Sequence, residues 1–315
     1  MRLNTKIILL AVITSIFIAI FLFTNIPGNW DYILPRRISK VIAMIITGVV
    51  IAIATVVFQT ITNNRILTPS VIGLDSLYVL LQTFLIFIFG STSIVSVNPT
   101  INFLVSIAIM IVFAFFLYHL LFKKHQNVYF LLLVGLVFGT FFSSLSSFMQ
   151  VLIDPNEFLI VQNKMFASFN NMNTDIIPFA IVIIALTFIY FMRFLPYLDV
   201  MSLGKSHAIN LGVSYEYMVK RLLIVIAIWI SVATALVGPI LFLGLLVANV
   251  TYEFLKTYRH TYLLIGSALV SIIALVGGQL ILERLFTFDT TISVIINFIG
   301  GVYFLYLILK ENKAW

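Results

Sequence analysis

Cysteine is absent from the 315 residues. Disulfides, thiolate metal sites, cysteine nucleophiles and iron–sulfur clusters are therefore excluded. Charge is scarce as well: Asp, Glu, Lys and Arg supply 9% of the chain, against roughly 25% in a soluble domain. A water-soluble enzyme of this length would need far more polar surface to cover its core. There are only 4 histidines, with no H-E-x-x-H spacing among them, and no G-x-S-x-G occurs. What is present is apolar: 62% of residues are hydrophobic, 15% are aromatic, and the mean hydropathy is +1.16. So much apolar surface also excludes a disordered tail. The formal net charge of +7 would raise nucleic acid as a partner in a soluble protein. In a membrane protein it raises the question of which side the charges occupy, and no nucleic acid is expected.

A bilayer core about 30 Å thick needs roughly 20 mostly apolar residues per spanning helix. Ten stretches qualify, near Lys6–Ile26, Ile38–Phe58, Val71–Gly90, Ile101–Phe122, Val128–Leu152, Ile176–Leu195, Met218–Gly238, Ile240–Leu255, Tyr262–Leu282 and Ile292–Leu309. The eighth is short and leans on Gly238 and Pro239, which reads as a broken or tilted helix. The first resembles a signal peptide in its basic start at Arg2 and Lys6, but its apolar run is too long and no small-residue cleavage site follows. With the N-terminus inside, thirteen of the 18 Lys and Arg fall inside, and Arg36, Arg37, Lys40, Lys164 and Arg284 fall outside. This is the asymmetry of the positive-inside rule, and an even span count returns the C-terminus to the same side. The expectation is a single all-α polytopic transmembrane domain over residues 1–315, with about ten spans and both termini cytoplasmic.

The spans offer little catalytic material, although ionisable groups within membranes are functional by default. His119, His125, His207 and His260 fall at or near span ends and read as interfacial. Asp75 opens the third span, where a cap or loop role competes with proton relay. Gly204-Lys205-Ser206 looks like the end of a phosphate-binding loop, but the required upstream glycine position holds Asp199 and no strand precedes it. Uphill movement would then draw on an ion gradient or a separate ATPase. The polar residues left within spans are neutral: Gln59, Gln82, Gln150, Asn249, Gln279 and the run Ser143–Ser147. They suit a wide neutral pathway better than proton coupling.

Four local patterns remain. The first is Leu34-Pro35-Arg36-Arg37, followed by Gly48, Gln59, Asn63-Asn64-Arg65-Ile66-Leu67-Thr68-Pro69 and Gly73. The second is Leu203-Gly204-x-x-x-Ala208-x-x-Leu211-Gly212. The third is Gly238-Pro239-Ile240-Leu241-Phe242-Leu243-Gly244-Leu245-Leu246, and the fourth is Gly300-Gly301-Val302-Tyr303-Phe304. Singly, each can be helix packing or turn chemistry, as Gly135-x-x-x-Gly139 is in the fifth span. In this order and spacing they resemble the BtuC/FecCD-type permeases of binding-protein-dependent ABC importers, which carry iron–siderophores, haem and vitamin B12. The resemblance runs from about Leu34 to the C-terminus. Three segments depart from the family pattern: Asn64-Arg65-Ile66-Leu67, Ala248-Asn249 and Asp289-Thr290-Thr291-Ile292-Ser293. These variants are similar to the branch serving catecholate-type ferric siderophores.

The resemblance implies two permease subunits around a central path, with a binding protein outside and two ATPase subunits inside. It favours a sister permease in a heterodimer over a homodimer. It implies that Leu203, Gly204, Ala208, Leu211 and Gly212 form the loop that couples to the ATPase. Arg36, Arg37 and Arg284 would meet the binding protein, although the first arginine of the family's Arg-x-Pro-Arg is Ile33 here. Gln59, Ser143, Ser144, Ser147, Met149, Gln150, Asn297 and Tyr303 would line a neutral, weakly polar path. Such a lining suits an intact ferric chelate and not bare metal, which calls for carboxylate or imidazole. No metal and no cofactor is expected on this chain; ATP and magnesium would sit on the partner ATPase. The implied location is the bacterial cytoplasmic membrane, surrounded by lipid. A haem or other iron-chelate permease of the same family, and an ion-coupled secondary transporter relying on Asp75, are the alternatives.

Overall fold

The computed structural model describes residues 2–24, 28, 30–123, 128–286 and 290–311. Regular structure among the described residues is entirely helical. In order the helices are α1 (Leu3–Phe23), α2 (Trp30–Thr62), α3 (Leu74–Phe89), α4 (Ile94–Val97), α5 (Pro99–Lys123), α6 (Val128–Leu152) and α7 (Pro155–Met165). There follow α8 (Ile177–Phe191), α9 (Leu195–Met201), α10 (Lys205–Asn210), α11 (Tyr215–Val237), α12 (Leu243–Leu255), α13 (His260–Leu285) and α14 (Ile292–Glu311). Seven of them, α1, α2, α5, α6, α8, α11 and α13, are long and apolar enough to cross a membrane, while α3, α12 and α14 are shorter apolar helices. Each apolar stretch read from the sequence overlaps one of these ten. The turn at Thr24–Gly28, Lys124, His125, Asp289 and Lys313 lie wholly or partly outside the described residues.

Burial sorts the helices into a centre and a shell. In the apolar stretch of α2, 78% of residues are buried, and in α11 72%, against 17% in α1 and 22% in α8. Helix α2 packs against both α11 and α13, and the shell helices leave their outer faces for lipid or another chain. Trp229 of α11 shows the inner packing: it is fully buried, meets the Phe191 ring at 5.1 Å, and donates from Nε1 to Thr187 Oγ1 at 2.8 Å. The buried indole N–H therefore has its acceptor.

Small residues set the closest approaches. A Cβ at Gly48 of α2 would lie 2.9 Å from Ser271 Oγ of α13. The Gly135/Gly139 pair meets a 3₁₀ turn rather than a second long helix. A Cβ on Gly135 would lie 2.8 Å from Ile72 Cα, and one on Gly73 would lie 2.9 Å from the Gly135 carbonyl oxygen. Gly73 also has φ +86°, a left-handed conformation that glycine adopts without penalty.

Two boundaries differ from the sequence reading. The second apolar helix starts at Trp30, not near Ile38, and runs through Pro35 for 33 residues. Proline costs the hydrogen bond to the Asp31 carbonyl, but Asp31 is exposed at the helix start and water can replace the lost partner. The eighth stretch is helical only from Leu243, because Gly238 (φ +100°) ends α11 and residues 239–242 are not helical.

Candidate functional site

The coupling candidates fold as a compact cap on the end of the bundle where α2 finishes. Gly204 (φ +94°) and Gly212 (φ +83°) stand at either side of α10, in conformations that side chains resist. Ala208 is fully buried and anchors the helix from below, and its carbonyl accepts from the Val213 N–H at 3.0 Å. Leu203, Ile209 and Leu211 face outward at 56%, 50% and 63% exposure. Around this apolar knob stand Lys205, which pairs with Glu216 at 3.3 Å, and Arg221, which lies over the Tyr217 ring at 5.1 Å. An apolar surface rimmed by charge suits a contact with another protein or with the membrane interface.

Beneath the cap is a polar junction that single-sequence reasoning missed. Asp199 of α9 accepts at Oδ1 from the His260 backbone N–H at 2.8 Å and lies 2.6 Å from His260 Nδ1. On the other side of the ring, Nε2 shares a 2.8 Å hydrogen bond with Thr60 Oγ1 of α2. His260 was expected at an interface; it does begin α13, but it is 3% exposed. Tyr215, the first residue of α11, donates to the Ile61 carbonyl at 3.0 Å. The Arg65 carbonyl accepts from Gln59 Nε2 at 2.6 Å and from Asn249 Nδ2 at 3.0 Å, while the Arg65 guanidinium lies 4.8 Å from the Tyr252 ring. Gln59, named as a path residue, is thus turned into this junction and is 3% exposed.

The other path candidates divide by face. Ser143, Ser144 and Ser147 are exposed on α6, together with Thr140, whose hydroxyl donates to the Leu136 carbonyl at 2.9 Å. Ser143 Oγ donates to Ser76 Oγ at 3.2 Å, leaving a hydroxyl-rich strip on an otherwise apolar helix. Met149 is half-buried against the core. Gln150 turns inward, donating to Ser146 Oγ at 2.9 Å and Thr83 Oγ1 at 3.3 Å. Asn297 Oδ1 accepts from the Phe242 N–H at 3.4 Å, so it supports the start of the broken segment before α12. Tyr303 meets the Tyr306 ring at 6.2 Å on α14.

At the opposite end, the three arginines have different surroundings. Arg37 Nη1 donates to the carbonyls of Thr24 at 2.7 Å and Phe21 at 2.8 Å, closing the C-terminal end of α1. Arg284 donates to Thr24 Oγ1. Arg36 is exposed and lies 4.2 Å from the Tyr32 ring. Arg36, Arg37, Lys40, Asn173, Asp175 and Glu283 share the wall of a cavity of about 620 Å³, where Lys40 donates to Asn170 Oδ1 at 2.7 Å. A second cavity of about 480 Å³ contains Lys164 of α7, which donates to Gln82 Oε1 at 2.9 Å. Burial holds the Lys164 ammonium below the usual lysine range. Asp75 is buried in the first turn of α3 and accepts from Thr234 Oγ1 at 2.8 Å. Among the described residues, no group of three His, Cys, Asp or Glu is placed to hold a metal.

The whole arrangement is that of a helical membrane permease. Its fold matches a solved metal-chelate type ABC transporter in an inward-facing conformation with a TM-score of 0.82, at 22% identity, over 98% of this chain and 100% of the other. The chain belongs to the FecCD transport family, whose profile matches residues 6–310. It is 61% identical, over the full length of both chains, to the petrobactin import system permease protein YclO of Bacillus subtilis. It is 36% identical to the petrobactin import system permease protein FatC of Bacillus anthracis, over 89% of this chain and 79% of that one. A second Bacillus subtilis petrobactin permease, YclN, is 24% identical over 99% of both.

Proposed function

We propose that this chain is the transmembrane permease subunit of an ABC importer that carries a ferric siderophore of the petrobactin class into the cytoplasm. The observation that carries the ATP-driven reading is the exposed apolar knob of Leu203, Ile209 and Leu211 around α10, set by two left-handed glycines at the bundle end. A soluble ATPase is the partner that such a surface fits. The substrate class follows from the two petrobactin permeases to which the chain is similar.

In this reading all ten apolar helices span the membrane, the short ones with help from the non-helical segments beside them. The α10 end and both termini face the cytoplasm, as the distribution of Lys and Arg requires. The arginine end faces outward and receives the binding protein, with Arg36 the most available of the three. The path runs along the hydroxyl strip of α6 at Ser143, Ser144 and Ser147, opposite a sister permease. That pairing is supported by the existence of two different petrobactin permeases in Bacillus subtilis. Hydroxyls facing a shared lumen hydrate the chelate weakly and let it leave again. The chain binds no metal of its own; ATP and magnesium belong to the separate ATPase.

The test is uptake of radiolabelled ferric petrobactin by iron-limited cells lacking this chain and any parallel permease for that chelate. Wild type restores uptake. Gly212→Trp, present in the membrane at equal amount, leaves less than a tenth of it, because φ +83° is lost and a bulky side chain is set beside the knob. Uptake that persists without the chain, or that the chain supports without an ATPase, overturns the proposal.

A further inference from the structure

The junction beneath α10 has a geometry that an ordinary loop attachment does not need. Three elements meet at one imidazole. Asp199 belongs to α9, only three residues upstream of α10; His260 opens α13; Thr60 sits in the last turn of α2. The ring is 3% exposed and both of its nitrogens are engaged, at 2.6 Å and 2.8 Å. The backbone N–H of His260 adds a second bond to the same Asp199 oxygen at 2.8 Å. Thr60 Oγ1 also donates to the Val56 carbonyl at 2.9 Å, so its position on α2 is determined from two sides. On the far side of α10, Tyr215 donates to Ile61, the next residue of α2. The segment carrying the knob is therefore pinned to the same turn of α2 both before and after α10.

We infer that the Asp199–His260–Thr60 chain is the tie through which movement of the α10 cap reaches α2 and α13, which makes these three positioning residues for transport. The inference rests on the importer reading given above. Hydrogen bonds around a buried imidazole hold direction as well as distance, and coupling between sites can travel through such contiguous contacts. An apolar contact at the same place would let the cap slide. A displacement of α9 must instead turn the imidazole or carry Thr60 with it.

The test uses the whole transporter, both permeases with ATPase and loaded binding protein, in proteoliposomes. The readout is ferric chelate moved per ATP hydrolysed. Thr60→Val keeps the shape and deletes the hydroxyl; the ratio is expected to fall at least fivefold at unchanged assembly. Thr60→Ser restores the hydroxyl and is expected within twofold of wild type. Asp199→Ala offers a second cut at a side chain that is 44% exposed and hence tolerant of truncation, with the same expected loss. A Thr60→Val or Asp199→Ala complex that keeps the wild-type ratio overturns the inference, as does a Thr60→Ser complex as impaired as Thr60→Val. A wild-type complex that hydrolyses ATP and moves no chelate sinks the importer reading itself, a different result.

Discussion

At the scale of single residues, Lys164 carries a pH signature. Its ammonium is partly desolvated in the cavity beneath α7, so the folded chain holds that proton less tightly than the unfolded chain does. Between the depressed value and the 10.5 of a free lysine, the unfolded state binds more protons, and stability rises with pH. The penalty is fully present below the depressed value and is relieved as pH rises through it towards that of a free lysine. Lys164→Gln removes it. Thermal unfolding of wild type and variant from pH 7 to about 10 is expected to show wild type gaining on the variant as pH rises. A difference that stays flat excludes this origin. The histidines teach a related lesson. His207 is exposed near the α10 knob, whereas His260 is enclosed and fully bonded, although the two look alike as residues near the ends of apolar runs.

At the scale of elements, glycine contacts make predictions of opposite sign. Gly135→Val drives a side chain against the backbone of Ile72 and Val71, atoms that cannot rotate away. Overpacking of this kind costs about 1–3 kcal/mol or more, and the melting temperature of the purified protein is expected to fall. Gly301→Ala in α14 meets nothing within 4 Å. Replacing a helical glycine there is worth up to about 1 kcal/mol, so the melting temperature should hold or rise. The existence of the apolar helices was legible because long apolar runs admit few alternatives. Their boundaries were less so. Pro35 followed by two arginines reads as a stop signal, but its lost hydrogen bond falls on an exposed carbonyl and α2 continues through it. The turn chemistry at Gly204 and Gly212 was legible, since only glycine rests easily at positive φ. The junction was not, because Thr60 and His260 are 200 residues apart and no local pattern links them.

At the scale of the whole molecule, the shell helices expose faces that one chain leaves uncovered. Large apolar side chains such as Phe298 (73% exposed), Leu305 (62%) and Val151 (84%) suit lipid or a sister subunit. The hydroxyl strip of α6 is more polar than these side chains, and the path proposed above runs along it. Ser147→Trp, placed on the exposed strip, is expected to leave folding and assembly intact while lowering ferric chelate uptake at least tenfold. Uptake at wild-type rate in that variant would move the path elsewhere.

Helix α2 is one unbroken rod of 33 residues, about 50 Å long at 1.5 Å per residue. Arg36 lies near one end, Thr60 near the other, and Gly48, whose added Cβ would meet Ser271 of α13 at 2.9 Å, lies midway between them. That is the layout of a seesaw with its fulcrum at Gly48. A rod that tips about such a point moves its two ends in opposite directions by equal amounts. A tilt that lowered the Arg36 end would raise the Thr60 end.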